Sequence, residues 1–145
     1  MRCVKTAWLL RACSVFLIVL TTPCSCGNNG DPNGPRITSF SYVGQLPADK
    51  STVIFSFSFT SSDGSLGAGK ADFYVGDQTQ PLELMMKDLL ASAGVPNNAT
   101  KGEVGAALRF TSSVPSGSAV NLALQLIDAQ GRHSNRAEVT LQITY

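Results

Sequence analysis

Between Thr52 and Thr60 the chain alternates with a period of two. Val53, Phe55, Phe57 and Phe59 fall on one side, and Ser56, Ser58 and Thr60 on the other, with Ile54 the exception. Successive side chains of a strand point to opposite faces, so three phenylalanines at this spacing demand a half-buried β-strand and cannot line one side of a helix. The pattern recurs along the body. Val104, Ala106, Leu108 and Phe110 alternate with Gly105, Ala107 and Arg109. Val120, Leu122, Leu124 and Leu126 alternate with Asn121, Ala123 and Gln125. Ala137, Val139, Leu141, Ile143 and Tyr145 alternate with Glu138, Thr140, Gln142 and Thr144. Two weaker strands are expected at Ile37–Val43 and Lys70–Val75, the latter with Ala71, Phe73 and Val75 inward and Lys70, Asp72 and Tyr74 outward.

Turn-forming residues separate these runs, at 46–50, 61–67, 114–118 and 128–131. The segment Pro81–Gly94 carries both periods. A short strand over 82–86 followed by a helical turn near 87–93, closed by Gly94, fits it best. One-sided apolar strands must cover each other's faces, so the expectation is an all-β fold of seven antiparallel strands in two packed sheets. The run Val53–Gly67 and the hairpin Leu126-Ile127-Asp128-Ala129-Gln130-Gly131-Arg132-His133-Ser134-Asn135 resemble those of bacterial immunoglobulin-like or fibronectin-like cell-surface domains. The resemblance implies an immunoglobulin-like β-sandwich over 36–145. It implies nothing about ligand, because the architecture serves many unrelated tasks.

The first 35 residues are of another kind. Arg2 and Lys5 precede the apolar run Ala12–Leu20, and small residues and Pro23-Cys24-Ser25-Cys26-Gly27 follow. A run of nine positions is too short for a spanning helix, which needs roughly 20 apolar residues, and the order is that of an export signal. Residues 1–25 are read as a signal peptide. Residues 27–35, rich in Gly, Asn and Pro, are read as a flexible tether of at most about 30 Å. All four cysteines lie at positions 3, 13, 24 and 26, so no disulfide framework is expected in the body. This start resembles a bacterial lipoprotein precursor. The resemblance implies cleavage before Cys26 (Cys24 is the alternative), a diacylglyceryl group on its thiol and an acyl chain on its new amine. A membrane-anchored place in the bacterial cell envelope would follow, on the outer membrane or cell surface rather than the inner. The family's aliphatic residue three before the cysteine is Pro23 here.

Chemistry in the body is sparse. Without residues 1–25 the chain carries eight Lys and Arg against ten Asp and Glu, with no basic stripe, so nucleic acid is not an expected partner. The single histidine, His133, falls in a hairpin and reads as a solvated loop residue. No nucleophile motif accompanies it, and no catalytic residue or cofactor is expected. Asp63 is a weak metal candidate, because serines stand around it where a calcium loop would place carboxylates. Tyr42 and Tyr74 are candidates for stacking on a sugar or protein. Asn98-Ala99-Thr100 is a glycosylation triplet, meaningful only in a eukaryotic secretory route. The expected function is therefore a lipid-anchored, non-enzymatic structural or interaction module, whose partners are the membrane and an envelope protein or glycan. The alternative is a secreted or periplasmic binder of glycan or calcium. A third reading is an accessory subunit offering its last strand, ending at Tyr145, as an edge.

Overall fold

The computed structural model describes residues 29–45, 52–109 and 117–142. Seven strands form two antiparallel sheets: β1 (Arg36–Gln45), β2 (Thr52–Thr60), β3 (Lys70–Val75), β4 (Leu82–Met85), β5 (Lys101–Arg109), β6 (Ala119–Ile127) and β7 (Ala137–Gln142). One sheet has the order β1-β2-β5 and the other β4-β3-β6-β7. This is the expected seven-stranded immunoglobulin-like sandwich, with β4 paired to β3 and not placed beside β5.

The alternating residues meet between the sheets. Phe55, Phe57, Phe59 and Phe73 are fully buried, as are Leu122, Leu124, Leu126 and Leu141. The ring of Phe73 packs at 4.8 Å from that of Phe55 and 6.5 Å from that of Phe57, joining the two sheets by tilted and edge-on contacts. Ile54, the exception in the pattern, lies half-buried on the outer face. Strand β5 starts at Lys101, earlier than its apolar alternation indicates, because Lys101, Gly102 and Glu103 pair with Thr60, Phe59 and Ser58.

The ambiguous segment divides between its two periods. β4 stops at Met85, and a seven-residue helix, α1 (Met86–Ser92), buries Met86 and Leu90. Gly94 follows at φ 68°. Its N–H bonds to Ala91 at 3.1 Å, and that of Val95 to Leu90 at 2.9 Å, the paired bonds of a Schellman closure. A 3₁₀ turn at Ser65–Ala68 lies between β2 and β3 and touches α1. A Cβ on Gly67 would lie 2.0 Å from the carbonyl oxygen of Asn97, so this close approach excludes any side chain.

Cys24, Cys26, residues 1–25, Phe110, Ile143 and Tyr145 lie outside the described residues. At the C-terminal end of the expected tether, residues 30–35 are fastened to the body. The Asp31 N–H donates to the carbonyl of His133 at 2.8 Å, and the His133 N–H donates to Asp31 Oδ2 at 2.6 Å. The Gly34 N–H closes a turn on the Asp31 carbonyl at 2.9 Å, and Pro35 is buried. Composition marks this stretch as coreless, yet an aspartate paired with an open backbone edge suffices to hold it.

Candidate functional site

The polar residues gather at one end of the sandwich, around the β6–β7 hairpin. Asp128 directly follows β6 and is buried. It accepts hydrogen bonds from the N–H groups of Gln130 at 2.9 Å and Arg132 at 3.0 Å, from Arg132 Nε at 2.6 Å and from Ser65 Oγ at 3.3 Å. Burial works against its ionisation, but the bonds from the Arg132 backbone and guanidinium and the Gln130 N–H outweigh it and hold its pKa below the ordinary value. Gly131 supplies the positive φ of the turn, 77°.

Ser134 and Asn135 complete the hairpin. The Leu126 N–H donates to Ser134 Oγ at 2.8 Å, and Ser134 Oγ donates to the Asn135 carbonyl at 2.7 Å. Asn135 presents both ends of its amide to one residue of the other sheet. The Ile37 N–H donates to Oδ1 at 2.8 Å, and Nδ2 donates to the Ile37 carbonyl at 3.1 Å. Each polar member of the Asp-x-x-Gly-x-x-Ser-Asn run thus satisfies buried or part-buried backbone groups where no ladder reaches them.

Asp63 joins the same corner from the β2–β3 connection. Oδ2 pairs with Arg132 Nη2 at 2.5 Å, and Oδ1 accepts from the Ser65 N–H at 3.1 Å and Ser61 Oγ at 3.4 Å. Hydrogen bonding from the Ser65 side chain, then from Arg132 and the Ser65 N–H, holds its carboxyl well below the usual range. Both oxygens face protein donors, and a guanidinium stands where a bound cation would. Among the described residues no cluster of three or more His, Cys, Asp or Glu has a geometry that could hold a metal.

A second group occupies the outer face of the four-stranded sheet. Asp72 points away from the core, as the alternation requires, but is only 4% exposed, between its cross-strand partners Glu83 and Gln125. Lys70 Nζ stands 3.5 Å from Oδ1 and pairs with Glu83. The approach is an ion-pair contact without hydrogen-bond geometry, and Oδ1 has no hydrogen-bond partner. Desolvation raises the pKa of Asp72, with Lys70 opposing and Glu83 adding to the rise. Next along β3, the Tyr74 ring lies under the Arg136 guanidinium at 4.4 Å, and Arg136 Nε reaches Glu138 at 3.1 Å. Tyr42 is half-buried and packs against the core.

His133 is exposed, and its N–H and carbonyl hold Asp31. Sequence reasoning assigned no role to Asp31. Its partner lies 102 residues away, and a lone Asp in a Gly- and Asn-rich stretch carries no periodic signal. Asn135 had a signal, the Ser-Asn pair closing the hairpin, but not the identity of its partner.

No protein-family model matches the chain, and no curated protein matches it. Among solved structures, a Niemann-Pick type C2 protein from the Japanese carpenter ant is similar with a TM-score of 0.48 and 11% identity, over 82% of this chain and 96% of that one. The immunoglobulin-like class of the domain rests on its own strand order.

Proposed function

We propose that the chain is a lipid-anchored, non-enzymatic module of a bacterial cell envelope, with Cys26 as the lipidated residue and the sandwich as a structural or interaction domain. The observation that carries this reading is the order basic residues, a nine-residue apolar run, small residues and Cys26 ahead of a folded body. The saturation of Asp63, Asp128, Ser134 and Asn135 by contacts within the fold supports a body whose conspicuous polar groups hold turns. Several buried acyl chains anchor stably where one is marginal. The test is membrane fractionation with intact mass. The mature protein should begin at Cys26 and carry the added mass of its acyl chains, and Cys26→Ser should move it to the soluble fraction. An unchanged distribution refutes the anchor.

A further inference from the structure

The fastening of Asp31 to His133 gives the anchor a direction. Only Gly27, Asn28 and Asn29 separate Cys26 from Gly30. Gly30 is the first of the described residues seated on the body, where a Cβ would lie 2.2 Å from the carbonyl carbon of Ser134. Fully extended, the link from Cys26 to Gly30 reaches at most about 14 Å, half of what the composition of 27–35 allows. An acyl-bearing Cys26 therefore holds one particular end of the sandwich close to the bilayer.

The topology identifies that end. Arg36 pairs with Thr60, Lys70 with Met85 and with Ile127, so β1 begins, β2 ends, β3 begins, β4 ends and β6 ends there. The 128–131 turn and α1 belong to the same end. The opposite end carries the turn at 76–80, where the Gly76 N–H bonds to the Asn121 carbonyl near the start of β6. A nine-residue strand such as β2 separates the two by about 30 Å. The near end exposes Arg36, Lys87 and Lys101 together with Asp63 and Asp88. Charges of both signs match the phosphates and amines of a headgroup layer and resist entry into hydrocarbon.

Resting on the lipid-anchor reading, we infer that the end built from the Asp31–His133 fastening, the 128–131 turn and α1 is held against the headgroups of the bilayer that carries Cys26, and that the 76–80 turn faces away from it. The sandwich then stands upright on that end.

The experiment places one fluorophore on the lipidated protein, at Gln130→Cys or at Thr79→Cys. Both native residues are exposed, and a thioether-modified Cys26 does not react with the dye. The protein is bound to phosphatidylcholine vesicles containing a lipid with a spin label on its headgroup. Quenching at position 130 should exceed that at 79 several-fold. Inserting 20 Gly and Ser residues after Gly27 adds a reach on the order of 25 Å and should bring the two values together while flotation with vesicles persists. Equal quenching in the unextended protein, or a difference that survives the insertion, overturns the orientation and leaves the anchor standing. Unextended protein that does not float overturns the anchor reading itself, and the orientation with it.

Discussion

Asp128 and Asp72 are both buried carboxylates, driven in opposite directions by their surroundings. The folded pKa of Asp128 is lowered, so its contribution to stability is present above the ordinary aspartate value of about 3.9 and is lost as pH falls through the folded value. That of Asp72 is raised, so its ionisation is less favourable in the folded state than in the unfolded chain. The domain loses this part of its stability as pH rises from the ordinary value through the folded one. Asp128→Asn should cost about 2–3 kcal/mol at pH 7, because N–H donors of the turn lose a charged acceptor, and the cost should shrink toward pH 2. Asp72→Asn should be neutral or stabilising by up to about 1 kcal/mol at pH 7, with the gain gone at pH 3. Urea midpoints of both variants across this pH range check the signs. An Asp72→Asn variant that loses stability as pH rises relative to wild type would contradict the assignment.

At the scale of elements, the sheets rest on the phenylalanine stripe of β2. Phe57→Ala should cost about 3–5 kcal/mol in denaturant melts, since the residue is fully buried against Phe73 of the other sheet. Gly67→Ala should cost at least about 1–3 kcal/mol, because the Asn97 backbone it would meet cannot step aside like a side chain. The strands themselves were legible in the sequence, since inward residues such as Phe55, Leu124 and Val139 are read directly from the two-residue period. The division at Met85 and Met86 was less so. Leu82, Leu84 and Met86 satisfy a strand while Met86, Leu89 and Leu90 satisfy a helix, and only packing beside the 3₁₀ turn decides between them. The burial of Asp72 was not legible, because it depends on cross-strand neighbours that alternation does not specify. Leu82 and Met85 remain about half exposed on β4, one of the two edge strands of its sheet, at 48% and 47%.

For the whole molecule, the decisive contacts join distant parts of the chain. Asn135 meets Ile37 across 98 residues, Asp31 meets His133 across 102, and Arg132 meets Asp63 across 69. Asp31→Ala should leave the sandwich folded but free residues 30–34, seen as faster hydrogen exchange at the His133 amide without loss of the β-sheet circular dichroism signal. Asn135→Ala should cost about 2–3 kcal/mol, since the buried Ile37 N–H loses its acceptor. These links have a kinetic meaning as well. Bringing together points some hundred residues apart gives up much chain freedom for a few bonds, so the corner is expected to form only after the strands have collapsed. Stopped-flow measurements on Asn135→Ala should then find refolding nearly as fast as in the parent and unfolding accelerated roughly thirty-fold or more. The corner would act as a latch that sets how long the native molecule lasts, without setting how soon it appears.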